Sequence, residues 1–347
     1  MNTSYNSLQR VLTTLSHKEP DKVPLFLLFS HYGAKELGIG IQDYFSNSEN
    51  VVEAQLRLAE KFNNDCLFSF SYASAELEAF GGTTFFPKEG SPNSGIPVIK
   101  KASDIENLKV PNILETKSLT TILETIKKLK REAADTKPII SVALSPFSLP
   151  VMQLGFDKYI DLIYKEPVLF DKLMAVNQEF CITWANAQIE AGATAICYFD
   201  PVSSSSVLPR NLYLQKGFPV AKHTISKINA PVATHFASGK INGIINDLPQ
   251  TSTILIGISS SEDIGEMKEK VKGQLSLIGN LNGIEMCRWT DQEAENQVKS
   301  IIKKAAKGGG LIISDNHGEI PYQVPERVLY KISETVQKYG KYPIEWF

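Results

Sequence analysis

Residues 187–201, "AQIEAGATAICYFDP", carry a helical-period segment into a run, 193–199, that is apolar at almost every position and stops at an Asp-Pro pair. A half-exposed antiparallel strand would alternate apolar and polar side chains. A continuously apolar run is expected of a parallel strand covered on both faces. Seven more such runs follow from the same reading: residues 23–29, 65–71, 138–144, 230–236, 253–259, 275–281 and 310–316. Most are separated by helical-period segments. Eight parallel strands with intervening helices predict an α/β protein, a (β/α)8 TIM barrel. The stretch after the second strand, 73–137, holds "FGGTTFFPKEGSPNSGIPVIK" (80–100), rich in Gly, Pro and Ser. It reads as an insertion, a loop or small hairpin, rather than a second domain, so residues 1–347 are expected to form a single domain. A doubly wound sheet is the competing reading, but no GxGxxG or GxxxxGK[ST] pattern follows any strand, which disfavours nucleotide cofactors.

The formal charge is -2, with Lys and Arg spread over predicted helices such as "ETIKKLKREAADTK" (124–137). That distribution offers no basic face for nucleic acid and no polybasic membrane anchor. Cys66, Cys181, Cys197 and Cys287 form no CxxC pair, so neither a disulfide framework nor a thiolate zinc knuckle is suggested. The N-terminal stretch lacks the apolar core of a signal peptide, and no run reaches the length of a membrane span. A soluble cytoplasmic protein is the expectation.

In a barrel of this kind the active site lies at the carboxyl ends of the strands. The first strand runs out into His31 and Tyr32, and the second into Tyr72, Glu76 and Glu78. The third ends at Ser145 and Pro146, the fourth at Asp200, and the fifth at His235, within "APVATHFASGKING" (230–243). The sixth ends in residues 259–261, the seventh in Asn280 and Asn282, and the eighth in Asp315, Asn316 and His317. Three of the chain's five histidines therefore fall at predicted strand ends. Each has an ordinary alternative: His235 as a hydrogen-bonded strand-end residue, His317 as a turn cap, and Asp200 as an Asx-turn or helix cap. Convergence on one face favours chemistry. Asp200, His235 and His317 offer either a nitrogen and oxygen site for zinc with a vacant position or a metal-free proton-transfer set. Tyr72 and Glu78 join them as candidate catalytic residues, and His31, Tyr32 and Asn280 are candidate cofactor contacts. Tyr32, Phe70, Tyr72 and Phe147 are candidates to pack against an aromatic ring.

The stretches "HKEPDKVPLFLLF" (17–29), "SAELEAFGG" (74–82), "LSPFSLPVMQLGFDKYIDLIYKEPVLFDKL" (144–173), "AQIEAGATAICYFDP", "VLPRNLYLQKGFPVAKHTISKI" (207–228), "LIGNLNG" (277–283) and "HGEIPYQVPERVL" (317–329) together resemble the uroporphyrinogen decarboxylase superfamily. The resemblance covers essentially the whole chain and implies a (β/α)8 barrel. One branch decarboxylates uroporphyrinogen and carries an Arg-rich loop after the first strand for the substrate's carboxylates. Here that place reads "FSHYGAKELG" (29–38), without arginine, so the bidentate clamps are missing. The other branch comprises corrinoid-dependent methyltransferases. Thiol-methylating members are implied to hold zinc with His-x-Cys after the fifth strand and a Cys after the eighth. In this chain His235 matches the histidine, Ala237 stands at the first Cys position, and the second falls at or near His317, with Ser314 the alternative.

With both thiolates gone, the resemblance points to the opposite direction of chemistry. The leading expectation is an O-demethylase methyltransferase I that moves a methyl group from a small methylated substrate, an aryl methyl ether, to Co(I) of a separate corrinoid protein. Zinc on His235, His317 and Asp200 is the expected metal site, and the corrinoid is expected from the partner because no DxHxxG-type motif is present. The alternatives are methyl transfer from methylcorrinoid to a thiol or tetrahydrofolate, and a decarboxylase-like protein without catalytic metal. A homodimer is among the assemblies the sequence allows.

Overall fold

The computed structural model describes residues 5–69 and 72–347. Among them nine strands form in chain order: β1 (Leu67–Phe68), β2 (Thr84–Phe85), β3 (Asn93–Ser94), β4 (Ile139–Leu144), β5 (Ala195–Phe199), β6 (Val232–His235), β7 (Leu255–Gly257), β8 (Ser276–Leu281) and β9 (Leu311–Asp315). Seven make one parallel sheet in the order β1-β4-β5-β6-β7-β8-β9, while β2 and β3 pair antiparallel as a separate hairpin. The opening stretch is explained locally. The helix Pro167–Ala191 ends at Gly192, whose φ of 119° is open to a residue without Cβ, and a Cβ there would lie 2.8 Å from Lys130 Cβ. The chain then enters β5. Ile196 and Tyr198 face the helical layer, while Cys197 and Phe199 pack with the cluster inside the sheet. Both faces are covered, which is why the run carries no polar alternation.

The sheet curls so that its two edge strands meet one segment, residues 23–29. On one side Leu25 bridges Ile313 in parallel, with Phe26 N–H donating to the Ile313 carbonyl (2.8 Å) and Ile313 N–H to that of Pro24 (2.9 Å). On the other side one backbone bond, from Asp65 N–H to the Leu25 carbonyl (2.7 Å), is extended by side chains. Leu25 N–H donates to Asp65 Oδ2 (3.0 Å) and Leu27 N–H to Asn64 Oδ1 (2.7 Å), while the Asn64 amide returns a bond to the Leu27 carbonyl (3.0 Å). Gln55 likewise donates to the Phe29 carbonyl and accepts from Phe68 N–H. The expected first strand is therefore an isolated bridge. Pro24 has no N–H to donate, and the N–H groups of Leu25, Leu27 and Leu28 go to side chains. The expected second strand is cut to two residues, with 70 and 71 outside the described residues.

Of the stretch 73–137, read as an insertion, only the middle is a hairpin. Its last part is the helix Lys117–Ala133, which buries Leu119, Ile122, Leu123, Ile126 and Leu129 at helical spacing. Five such side chains contribute on the order of 1.5–3 kcal/mol each by burial. No helix among the described residues is long and apolar enough to cross a membrane.

Candidate active site

The curled sheet encloses a cavity of about 220 Å³. Tyr72, Phe199, His235, His317 and Glu319 line it toward the carboxyl ends of the strands, with Ser91 and Pro92 of the β2–β3 connection beside them. Phe26, Phe68, Val142, Cys197 and Ala233 form its middle.

His235 ends β6, whose register brings Phe199 opposite it on β5. The two rings stack, centroids 5.8 Å apart at 17°. Beyond the strand the chain turns through Ala237 at φ 51°, a left-handed conformation that costs an L-residue about 1–2 kcal/mol. The turn aims the Ala237 N–H back at His235 Nδ1 (3.0 Å). A ring nitrogen that accepts an N–H carries no proton, so the neutral imidazole holds its hydrogen on Nε2. Gly257 on β7 makes room: a Cβ there would lie 2.7 Å from His235 Cδ2. Burial, assisted by the nearby His317, pushes the His235 pKa down to about 4.

His317 is arranged the same way. The Leu281 carbonyl and Ser260 N–H orient the Asn316 amide so that its nitrogen donates to His317 Nδ1 (2.8 Å). Burial lowers the His317 pKa, against an opposing pull from Glu319. Both rings are thus neutral near pH 7 with their protons on Nε2, two hydrogen-bond donors on the wall of one apolar cavity.

The other candidates fall in different places. Asp200 is buried, but its Oδ1 accepts from Ser145 Oγ (2.6 Å) and Ser148 Oγ (2.7 Å), and it does not line the cavity. Burial raises its carboxyl pKa, opposed by Ser145, Ser203 and Ser148. Tyr72 is on the wall and donates to Glu78 Oε1 (3.2 Å), which also accepts from Thr84 behind it. His31 Nδ1 pairs with Glu319 Oε2 (3.0 Å), so it reaches the cavity through Glu319. Tyr32 is core, its hydroxyl bonded to the Val324 carbonyl (3.1 Å). Asn280 donates to the Ser259 and Glu262 carbonyls (2.9 and 3.0 Å) and faces a separate polar cleft. Phe147 packs in another core cluster, and Phe70 lies outside the described residues.

These contacts do not fit the expected zinc site. A ligating histidine presents one nitrogen to the metal and donates from the other. In both His235 and His317 the second nitrogen accepts instead, and Asp200 Oδ1 is taken by two serines. Among the described residues no group of three or more His, Cys, Asp or Glu is placed to hold a metal ion.

Sequence reasoning missed Phe199 and Glu319 as cavity residues. Glu319 follows His317 by two positions in the same loop, a proximity that could have marked it.

Residues 6–339 match the family model described as uroporphyrinogen decarboxylase (URO-D). The chain is similar to the uroporphyrinogen decarboxylase of Mannheimia succiniciproducens, 24% identical over 359 residues, covering 96% of this chain and 98% of that protein. It is also similar to that of Pelodictyon phaeoclathratiforme, 27% identical over 311 residues, covering 85% and 86%. Among solved structures, a methyltransferase from Methanosarcina mazei superposes with a TM-score of 0.85 at 20% identity, over 97% of this chain and 99% of that one. A B12-independent methionine synthase from a Shewanella species does so at 0.55 and 13%, over 84% and 88%. At these identities the structural likeness is one of fold.

Proposed function

We propose a methyltransferase: the chain belongs to the uroporphyrinogen decarboxylase family, and its cavity suits a small neutral methyl donor rather than a polyanion. In this reading a (β/α)8 barrel, closed by residues 23–29, transfers the methyl group of an aryl methyl ether to Co(I) of a corrinoid carried by a separate protein in the cytoplasm. The observation that carries it is the pair of neutral Nε2–H donors, His235 and His317, at the mouth of a mostly apolar cavity whose other polar groups there include Tyr72, Ser91 and Glu319. Among the described residues the wall includes neither arginine nor lysine, so the carboxylates of uroporphyrinogen would meet no cation there.

The ether's ring packs against Phe199, Phe68 and Tyr72. The methyl carbon bonds to the partner's Co(I), the C–O bond breaks, and its electron pair stays on the phenolate oxygen. A phenol's pKa near 10 makes this an unfavourable leaving group in an apolar site. The Nε2–H donors of His235 and His317 meet the developing charge, and the phenolate takes its proton from water on release. One donor aimed at a developing oxyanion is worth roughly 10²- to 10³-fold in rate. No step runs through zinc.

The test is to mix purified protein with a corrinoid protein reduced to Co(I) and a panel of aryl methyl ethers, starting with guaiacol. A spectral change to methyl-Co(III) that requires this protein is expected. No change across aryl ethers, methylamines and methanol would overturn the reading.

A further inference from the structure

In closed parallel sheets the interior is filled by layers of bulky branched side chains. Here several inward positions are small: Cys66 before β1, Ala195 and Cys197 on β5, and Ala233 on β6. The space they leave, about 220 Å³, exceeds the roughly 150 Å³ of an apolar protein cavity that takes up benzene. It is also deep. From His235 back to Pro231, both on its wall, is four residues, or about 13 Å of strand. Its far end is made by Val11 and Leu15 of the helix Ser7–Leu15, with Ile254 and Pro231.

Among the described residues most of the polar side chains gather at one end. His235, His317, Glu319, Ser91 and Tyr72 surround the end at the strand C-termini. Along the shaft Thr234 directs its hydroxyl to Thr253 (3.0 Å). Water needs two to four polar partners to be held in such a space, and the lower walls, apolar side chains with the thiols of Cys66 and Cys197, supply few. An apolar occupant gains instead from every methylene it buries.

From this we propose that the ligand is elongated, an aromatic head at the two histidines bearing an unbranched apolar chain that runs down the interior toward Val11 and Leu15. The inference rests on the methyltransferase reading only for what happens at the head.

The test measures binding alone. The Kd values of phenol and its 4-n-alkyl derivatives from methyl to hexyl, measured by isothermal titration calorimetry on the full chain, should tighten about fourfold per methylene. The gain should stop when the chain reaches Val11 and Leu15. Ala233→Phe, which plugs the shaft beneath His235, should end the gain within the first two carbons. Should that variant fail to fold, Ala195→Leu, lower on the neighbouring strand β5, should end it a few carbons later. A Kd independent of chain length in the unsubstituted protein would overturn the proposal, as would an undiminished gain in a folded plugged variant. The two readings fail separately: no methyl transfer with an intact chain-length dependence removes the reaction, whereas transfer from guaiacol with a flat series removes the chain.

Discussion

The N–H of Ala237 donates to Nδ1 of His235 at 3.0 Å, and this bond decides which ring nitrogen can act on a ligand. The residue standing where the resemblance implies a thiolate contributes its backbone instead. A donor role follows, and His235→Ala should lower kcat/KM for methyl transfer by about 10²- to 10³-fold in the fraction that remains folded. His317→Ala should behave alike. Unchanged turnover in both, in the cobalt assay, would remove the assignment.

Gly257 is held to glycine by His235. Its added Cβ would lie 2.7 Å from the ring, and the β7 backbone is fixed by pairing to β6 and β8. Gly257→Ala should therefore displace the ring, cut activity at least tenfold and cost about 1–3 kcal/mol as overpacking. Urea unfolding and the cobalt assay check the two effects, and full activity with an unchanged midpoint would contradict this packing.

Glu76 lies in the interior, with Oε1 accepting from Leu144 N–H at 2.9 Å. Burial pushes its pKa up to about 8, against the lowering effect of that bond. In the unfolded chain a glutamate titrates near 4.3. Its folded pKa is thus raised, so its stabilising contribution is complete below about pH 4 and is lost as pH rises through about 8. Glu76→Gln keeps the acceptor and removes the titration. Stability of the variant relative to the parent should grow by several kcal/mol between pH 5 and pH 9, read from urea midpoints. A difference constant across that range would show that Glu76 is not a buried neutral acid.

Asp65 joins the N-terminal helix to the segment that bridges the sheet edges. Its carboxylate takes Arg10 at 2.6 Å, Ser7 Oγ at 2.9 Å and Leu25 N–H at 3.0 Å, and the Arg10 and Asp65 side chains are only 9% and 3% exposed. Arg10 keeps its bidentate pair with Asp21 (2.7 and 2.6 Å), but Asp65→Ala leaves Ser7 Oγ and Leu25 N–H without an acceptor and should cost about 2–4 kcal/mol, at roughly 1–3 kcal/mol for each buried donor. A loss below about 1 kcal/mol in urea, the range of an exposed pair, would mean that the bridging of residues 23–29 does not depend on this contact.

Much of the fold was legible in the amino-acid order because burial on both faces imposes apolar runs, and those runs locate β4, β5, β6, β8 and β9 with His235 and His317 at or just beyond their ends. Even the small interior residues follow a parity: counting back by two from His235 reaches Ala233. What the order could not show depends on contacts between residues far apart in the chain. The segment 23–29 has a strand's composition but directs three of its N–H groups, those of Leu25, Leu27 and Leu28, to the side chains of Asp65, Asn64 and Asp315.

Asp200 stands at a strand end as expected, yet Ser145 and Ser148 turn its carboxylate away from the cavity. The proton position on His235 rests on a left-handed turn at an alanine. Periodicity reports only which face of an element is buried. The direction of a polar side chain beyond a strand end is decided by whichever donor or acceptor the tertiary structure brings within hydrogen-bond reach, and that partner exists only once the sheet has curled.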